Sequence, residues 1–226
     1  MTDDSIEKQH VVEIENVSLR TDRGGLVFRD LNLTIDSGQT VIVSGASGSG
    51  KTLLAELLVG LRSVESGRVR LFGHEVRRRR KRILRRIRRQ IGGVGGPFGL
   101  LPLLTVAENI TLPLVLVGER RKLQQERLLR MLSEFSLLKL AGKYPPNLTR
   151  VESSLVQFAR ASIASQPLMI IDEPLAGLDP STYCRVTEYL IKVAVSGRSL
   201  LILVSDLPST NIPDAISLRL EDGELV

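Results

Sequence analysis

Eight consecutive residues, Gly45 to Thr52, match the phosphate-binding pattern G-x-x-x-x-G-K-T. Successive glycines let the backbone fold into a nest whose N–H groups point at one anion, and a following helix adds its positive end. We expect Lys51 to reach the β- and γ-phosphates of a nucleotide and the Thr52 hydroxyl to hold Mg²⁺. The candidate nucleotide-binding residues are Gly45, Ala46, Ser47, Gly48, Ser49, Gly50, Lys51 and Thr52.

A second pair of candidate residues, Asp172 and Glu173, follows the apolar stretch Leu168 to Ile171. A buried strand that ends in a carboxylate is how phosphate-loop proteins hold Mg²⁺, so we expect Asp172 to be a metal ligand together with Thr52. Glu173 is placed to polarise an attacking water. Alone, the pattern also fits a strand followed by a charged turn. After a phosphate loop it predicts a magnesium-nucleotide site, with Glu173 and Lys51 as the candidate catalytic residues.

The stretches around the two motifs predict the elements that must position them. Thr40 to Val43 is a short apolar run typical of a buried strand, and Leu53 to Val59 is predicted to be helical. Leu168 to Ile171 and Leu200 to Val204 predict two further buried strands. Strands that alternate with helices favour a mainly parallel, doubly wound α/β sheet, which binds ligands at the carboxyl ends of its strands.

The rest of the chain predicts an insertion in a single domain that spans residues 1–226. Thr105 to Ala141 and Glu152 to Ala164 are predicted to be mainly helical and lie between two strands, so we expect an inserted helical subdomain at about residues 97–165. The other predicted elements are strands at Val11 to Leu19, Val27 to Ile35, Arg68 to Phe72, Ala215 to Leu218 and Glu224 to Val226, a helix over the arginine-rich segment that closes at Ile91 to Gly93, a loop at Gly95 to Leu104, and a helix start at Asp179-Pro180.

Composition excludes several classes of protein. The 226 residues are 42% hydrophobic, which is enough for one large α/β domain. The single cysteine, Cys184, excludes a disulfide framework, and we expect it to be a buried or half-buried helix residue. The apolar runs fall far short of the ~20 residues of a membrane span. Met1 to Gln9 is polar and acidic, unlike a signal peptide. We therefore expect a chain that is soluble by itself.

Positive charge is concentrated in one segment. The net charge is +6, yet Arg77 to Arg89 contains nine arginines and one lysine, and without them 21 basic residues face 25 acidic ones. The segment could be a solvated helix face. It could also contact anionic lipid, which favours each basic residue near a membrane by about 1 kcal/mol. Nucleic-acid binding is disfavoured because no aromatic residue lies among the arginines.

These motifs resemble those of the nucleotide-binding subunits of ABC transporters over nearly the whole chain. Leu175 to Pro180 is similar to the family's D-loop. Leu100 to Ile110 resembles a segment of the small ATPases that pair with FtsX-like, lipoprotein-releasing and macrolide-export permeases. Ala159 to Ala161 and Leu220 to Val226 fit as well.

The resemblance implies an α/β fold with a P-loop NTPase core, a mainly parallel sheet, an antiparallel β subdomain and an inserted helical subdomain. It implies ATP and Mg²⁺ as cofactors and an integral-membrane permease as the partner. It also implies a dimer, with itself or with a related ATPase subunit, that encloses two ATP molecules. Such subunits are cytoplasmic and peripheral on the inner face of the cell membrane.

Three departures from the family pattern concern the ATP site of the chain itself. Val94 to Gly96 stands where the Q-loop usually reads V-F-Q, so Gly96 replaces a glutamine that would touch magnesium and the attacking water. Asp206 stands where the switch histidine is expected, and Thr21 where an aromatic residue would stack on adenine. Losing a stacking aromatic weakens binding by roughly 1–3 kcal/mol.

A fourth departure concerns the family signature L-S-G-G-Q, which is replaced by Leu148 to Glu152. The two glycines of the signature let a helix N-terminus approach the γ-phosphate of ATP on the opposite subunit. Arg150 and Val151 add bulk at this point, and Glu152 adds a negative charge. Each preorganised group aimed at developing charge contributes roughly 10²- to 10³-fold in rate, so several such losses predict slow hydrolysis.

Three functions remain open on these grounds. The first is an ATP-binding subunit of an ABC transporter, which couples Mg-ATP binding and slow hydrolysis to a permease. The second is a hydrolysis-deficient regulatory or structural subunit, in which bound nucleotide locks a dimer onto its membrane partner. The third, favoured least, is an ABC-type protein that acts on nucleic acid through its arginines.

Overall fold

A computed structural model of the protein describes residues 9–20, 25–173, 178–206 and 212–226. Within these ranges the strands are β1 (His10–Arg20), β2 (Leu26–Asp36), β3 (Thr40–Ser44), β4 (Ser66–Leu71), β5 (His74–Glu75), β6 (Ile91–Gly95), β7 (Leu168–Asp172), β8 (Ser199–Val204), β9 (Ile216–Glu221) and β10 (Glu224–Leu225). The α-helices are α1 (Lys51–Leu58), α2 (Lys81–Arg89), α3 (Val106–Leu116), α4 (Arg121–Glu134), α5 (Arg150–Ser162) and α6 (Pro180–Val195). Thr21 and Leu175 to Gly177, which the sequence analysis singled out, lie outside the described residues.

A six-stranded sheet in the order β10-β9-β3-β8-β7-β6 forms the centre of the fold. β10 runs antiparallel to β9, and the other five strands are parallel. The carboxyl ends of β3, β7 and β8 therefore lie side by side at one edge, and each candidate motif follows one of these ends. The mainly parallel sheet predicted from the sequence is confirmed.

Both faces of this sheet are buried, which explains why its central strands β3, β7 and β8 are almost continuously apolar between their ends. Ile170 belongs to the core that links the sheet to α1 and to β1 and β2. Ile171, the next residue of β7, belongs to the core on the opposite face, together with Phe158 of α5 and Leu190 of α6. Strand β7 is therefore packed on both sides. Asp172 is its last residue, so its position is fixed by the strand rather than by a loop.

A second sheet, in the order β2-β1-β4-β5, is antiparallel throughout. It confirms the antiparallel β subdomain that the family resemblance implied. Val27 of β2 packs near the phosphate loop, since a Cβ at Gly50 would lie 2.8 Å from Val27 Cγ1. This sheet thus closes one side of the loop between β3 and α1.

Strand β6 was not predicted from the sequence, which assigned Ile91 to Gly93 to the end of the arginine helix. Three of its five residues are glycine, which has low β-propensity and weakens the signal of a strand. The structure shows what the glycines allow. A Cβ at Gly92 would overlap with the Ala161 carbonyl oxygen, and a Cβ at Gly93 would overlap with the Phe98 ring. Helix α5 can therefore approach β6 closely.

The other predicted elements shift by a few residues, with two larger differences. The arginine helix α2 begins at Lys81, so Arg77 to Arg80 precede it. Cys184 is exposed rather than packed, because it lies on the outer side of α6 while Val186 and Leu190 face the core. The predicted start of α6 is confirmed: Asp179 Oδ1 accepts hydrogen bonds from the N–H groups of Ser181 and Thr182, both at 3.1 Å. No described helix combines the length and the apolar composition that a membrane span requires.

Candidate nucleotide site

The phosphate loop occupies the turn between β3 and α1, as its sequence requires. Gly48 and Gly50 have φ angles of 86° and 111°, a left-handed region that favours glycine. The N–H of Gly45 donates to Val204 O at the end of β8 (3.2 Å). The loop is therefore tied to the neighbouring strand, and its residues lie at the N-terminus of α1, which begins at Lys51.

Lys51 is almost fully buried, with 5% of its side chain exposed. Its Nζ donates to Gly45 O (2.7 Å) and Ala46 O (3.1 Å) of the loop. The same Nζ lies 3.4 Å from Glu173 Oε1. The fold thus brings together the two candidate catalytic residues, which are far apart in the chain. A cation held here faces whatever anion the loop binds.

Asp172 ends β7 and is 98% buried, with a relative exposure of 2%. Neither of its carboxylate oxygens has a hydrogen-bond partner among the described residues. Burial raises the pKa of Asp172, the charge of Glu173 raises it further, and the nearby Thr52 hydroxyl and Lys51 lower it. The Thr52 hydroxyl is thus close enough to lower the pKa of Asp172. It does not reach the geometry of a hydrogen bond to either carboxylate oxygen.

A buried carboxylate without donors is costly unless a cation satisfies it. Oxygen ligands from a carboxylate and a hydroxyl suit Mg²⁺, which takes one or two protein ligands together with phosphate oxygens and water. Asp172 and Thr52 therefore fit the ion that the sequence predicted at this place.

Glu173 follows β7 with a φ angle of 52°, which is uncommon for a residue with a side chain. Its N–H donates to Leu203 O of β8 (2.9 Å), and its Oε1 accepts a hydrogen bond from the Ser205 hydroxyl. The carboxylate is about one third exposed. Strained backbone of this kind clusters at functional sites, where neighbouring structure holds it.

Gly96 lies directly against Asp172. Its φ angle is 40°, and a Cβ at this position would overlap with Asp172 Oδ2. Gly95 is equally constrained, because a Cβ there would overlap with the Asp172 carbonyl oxygen. With this backbone, no side chain fits where the family has its Q-loop glutamine.

Helix α5 begins at Arg150, and its N-terminus is capped by its own residues. Thr149 N donates to Glu152 Oε2 (2.7 Å), and Glu152 N donates to Thr149 Oγ1 (3.2 Å), which is a capping box. Hydrogen bonds to the Glu152 carboxylate from Thr149, first from its backbone N–H and then from its hydroxyl, lower the pKa of Glu152. The negative charge expected at the signature position is that of Glu152, and its carboxylate accepts a hydrogen bond from the N-cap of its own helix. Arg150 remains exposed.

A cavity of about 280 Å³ lies where β6, β7 and the first turns of α5 meet. Gly95, Gly96, Asp172 and Glu173 line it on one side. The lining is completed by Val94, Arg150, Val151, Ser153, Ser154, Gln157 and Leu178. The Asp172 and Glu173 side chains therefore border a partly polar cavity on the side of β6 and α5.

Two residues of the site were missed by the sequence analysis. Ser205 follows the carboxyl end of β8, and a polar residue after a buried strand is the signal that marks its position, but only the strand order places β8 beside β7. Gln157 lies within α5, between the buried Val156 and Phe158, and nothing in its spacing indicated a role. Asp206 lies exposed beyond the end of β8.

Arg160, from the segment Ala159 to Ala161, has a structural position instead. It donates to Gly99 O (2.9 Å) and to Phe98 O, and so fixes the loop that follows β6 to α5. Burial lowers its pKa to about 10, which leaves the guanidinium charged at neutral pH.

Comparison with known proteins places the chain among ATP-binding proteins of transporters. The family model described as "ABC transporter" matches residues 28–176. The glutamate/aspartate import ATP-binding protein GltL of Escherichia coli (strain K12) is 31% identical over 201 residues, which cover 88% of this chain and 83% of that protein. The lipoprotein-releasing system ATP-binding protein LolD of Treponema denticola is 30% identical over 201 residues, covering 88% and 89%.

A solved structure gives the same result for the fold. The dimeric ATP-binding cassette MJ0796, in a post-hydrolysis state bound to ADP and Pi, superposes with a TM-score of 0.81 at 28% identity. The superposition covers 95% of this chain and 96% of that one.

Proposed function

Because the chain belongs to the ABC transporter family, as an ATP-binding subunit, we propose that it binds Mg-ATP at Gly45 to Thr52 and hydrolyses it slowly to drive an integral-membrane permease. The observation that carries this proposal is the meeting of Lys51, Asp172 and Glu173 beside the phosphate loop, with Lys51 Nζ 3.4 Å from Glu173 Oε1. We further propose that the chain is one nucleotide-binding domain over residues 1–226, with a helical subdomain inserted at about residues 97–165.

Each residue has a defined task in this proposal. The loop N–H groups and Lys51 bind the β- and γ-phosphates, while Thr52 and Asp172 hold Mg²⁺, whose charge offsets that of the phosphates. Glu173 polarises the attacking water, and Ser205 fixes the orientation of its carboxylate. In this proposal, phosphate binding, a metal site and a general base lie together at one edge of the sheet.

Slow rather than fast hydrolysis is proposed because groups expected near the γ-phosphate are missing. Gly96 offers no side chain, and Asp206 carries a negative charge where a histidine would donate a hydrogen bond. Two such losses reduce the rate by roughly 10⁴-fold if they act independently, and by less if they act as a unit. The similar proteins, named as transport ATP-binding proteins or solved after hydrolysis, give the alternative of a hydrolysis-deficient subunit no support.

The partners follow from the same family. MJ0796 is dimeric, and LolD belongs to a lipoprotein-releasing system. We propose that this chain likewise dimerises, with itself or with a related subunit, and works at a permease on the cytoplasmic face of the membrane.

Contact with anionic lipid is a further part of the proposal. Arg82, Arg85, Arg86 and Arg89 are exposed along α2, and none has an ion pair with a carboxylate among the described residues. An unpaired cationic helix on a protein held at a membrane favours anionic headgroups.

The first test of the proposal is the substitution Lys51→Ala. Loss of the buried ammonium beside the phosphates removes a charge-assisted contact, so Mg-ATP affinity falls at least 100-fold by isothermal titration calorimetry. Lys192→Ala, at an exposed lysine paired with Glu134, is the matched control and leaves affinity unchanged. Equal affinity in the Lys51 variant and the wild type would contradict nucleotide binding at this loop.

Hydrolysis is tested by Glu173→Gln, which removes the general base and keeps the size of the side chain. Steady-state ATP turnover falls at least 100-fold at saturating Mg-ATP, while binding is retained. If the wild type binds Mg-ATP yet turns over none, alone or with its permease, the proposed hydrolysis is wrong.

The lipid contact is tested by sedimentation with phosphatidylserine-containing vesicles. Arg82→Gln, Arg85→Gln and Arg86→Gln together weaken binding about 100-fold, since each basic residue contributes about 1 kcal/mol. The matched control carries the same change at Arg120, Arg121 and Arg130, exposed arginines at the start of and along α4, and keeps its binding. Equal loss in both variants, or binding to DNA but not to vesicles, would overturn the lipid contact.

A further inference from the structure

Gln157 is the one carboxamide among the described residues that line the cavity beside Asp172 and Glu173. It lies on α5, about two turns beyond the capped N-terminus of the helix. Its side-chain oxygen Oε1 accepts a hydrogen bond of 2.8 Å from the N–H of Gly95, the last residue of β6. A backbone N–H can only donate, so the contact fixes the orientation of the amide.

The residue that Gln157 holds is coupled directly to Asp172. Gly95 is the register partner of Asp172 in the β6–β7 pair, and Gly96 lies against Asp172 Oδ2. Both glycines have left-handed φ angles, 74° and 40°. A shift of this turn would therefore move the wall against which the Asp172 carboxylate is packed.

The Asp172 carboxylate has no donor of its own that fixes it, since both oxygens lack a hydrogen-bond partner among the described residues. Its orientation depends on what packs around it. The Gly95-Gly96 turn provides part of this packing by backbone alone, and a glycine turn is conformationally permissive unless another group restrains it. Gln157 supplies such a restraint from a different element.

We propose that Gln157 is a positioning residue of the magnesium side of the nucleotide site. It acts through the Gly95-Gly96 turn to hold Asp172 in the orientation that binds Mg²⁺, and it ties helix α5 to the metal site. This inference rests on the proposed function, because it assumes that Asp172 is a metal ligand.

The test compares nucleotide binding with and without the metal. Gln157→Met keeps the volume of the side chain and removes the acceptor for Gly95. The Mg²⁺ concentration that gives half-maximal stabilisation of ATP binding rises about three- to tenfold, the range expected for one lost hydrogen bond. ATP affinity in EDTA stays unchanged, because the phosphate loop and Lys51 do not depend on Gln157.

A second variant separates the acceptor from the packing. Gln157→Glu keeps an oxygen acceptor for the Gly95 N–H at the same length, so its Mg²⁺ dependence stays closer to that of the wild type than the Met variant does. The matched control is Gln124→Met on α4, since Gln124 Nε2 is also bound to a backbone group, Glu119 O at 2.7 Å, outside the cavity. It leaves the Mg²⁺ dependence unchanged.

Two results would overturn the inference while leaving nucleotide binding in place. One is an unchanged Mg²⁺ dependence in Gln157→Met. The other is an equal loss of affinity with Mg²⁺ and in EDTA in both Gln157 variants, with a lowered Tm, which indicates a general structural role. Failure of the proposed function looks different: the wild type itself then binds no nucleotide under either condition.

Discussion

Asp172 occupies a position that costs stability. Burial raises its pKa, so the folded state binds a proton more readily than the unfolded state does. The folded and unfolded chains are equally protonated below the ordinary pKa of aspartate, about 3.9. As the pH rises from there through the raised pKa of Asp172, the protein loses stability relative to a variant with a neutral group. A bound metal ion would offset this cost, which is why a metal-binding site can retain a buried carboxylate.

The substitution Asp172→Asn separates the two effects. Without Mg²⁺ at pH 7.5, the variant has a Tm that is higher by about 2–4 °C, which corresponds to roughly 1 kcal/mol for a chain of this size. The difference shrinks as the pH falls toward about 4. In the wild type, Mg-ATP raises the Tm more than ATP does in EDTA, and we expect this difference to be lost in Asp172→Asn. Differential scanning calorimetry over this pH range measures both, and a Tm below that of the wild type at pH 7.5 would show that the charge of Asp172 is compensated.

We expect Ser205 to orient the Glu173 carboxylate. Its hydroxyl donates to Glu173 Oε1 at the end of β8. In Ser205→Ala the carboxylate loses this restraint and samples other rotamers, so kcat falls about three- to tenfold, the effect of one hydrogen bond, while KM stays unchanged. Ser205→Thr keeps the hydroxyl and retains most of the rate. A parallel change in KM would place Ser205 in substrate binding instead.

At the scale of elements, β6 shows where sequence reasoning fails. A strand was not predicted at Ile91–Gly95 because the segment contains three glycines and follows an arginine-rich helix. The preference for glycine here is imposed by helix α5, which packs so close that a Cβ at Gly92 has no space. That constraint comes from a segment about 70 residues further along the chain, so no local pattern contains it.

The packing of α5 on β6 is tested by Gly92→Ala. The added methyl group would overlap with Ala161 O, so either α5 or β6 must move, and the free energy of unfolding falls by about 1–3 kcal/mol. Gly142→Ala is the control, because a Cβ there meets no atom within 4 Å. Chemical denaturation measures both variants. Equal stability of the Gly92 variant and the wild type would mean that the two elements are loosely packed.

At the scale of the whole molecule, the sheet and its phosphate loop could be predicted because their signals are local. The loop Gly45 to Thr52 lies within one strand–turn–helix unit, and the apolar run before Asp172 reports burial on both faces of β7. The rest of the site could not be predicted in this way. Ser205 and Gln157 reach it from β8 and α5, so their roles depend on the order of strands in the sheet and on the packing of a distant helix.

The start of helix α5 bears on the proposed dimer rather than on one subunit. In the family, this helix end meets the ATP of the opposite subunit, and here it carries Arg150 and Val151 where two glycines are expected. The cap formed by Thr149 and Glu152 satisfies N–H groups of the first turn within the helix itself. We expect bulk at this end to keep the helix away from the phosphate bound by the partner, and the contribution of the helix dipole falls off with distance.

Replacing both Arg150 and Val151 with glycine therefore raises ATP turnover by about tenfold or more, because closer approach restores donors to the γ-phosphate. The gain depends on the dimer, so turnover per subunit rises with protein concentration. Two glycines in the first turn also lower stability by up to about 2 kcal/mol. Arg121 and Lys122 begin α4 at the same two helix positions, and their replacement with glycine serves as the control. If both double variants lose stability and neither gains turnover at any concentration, the side chains at the start of α5 do not limit hydrolysis.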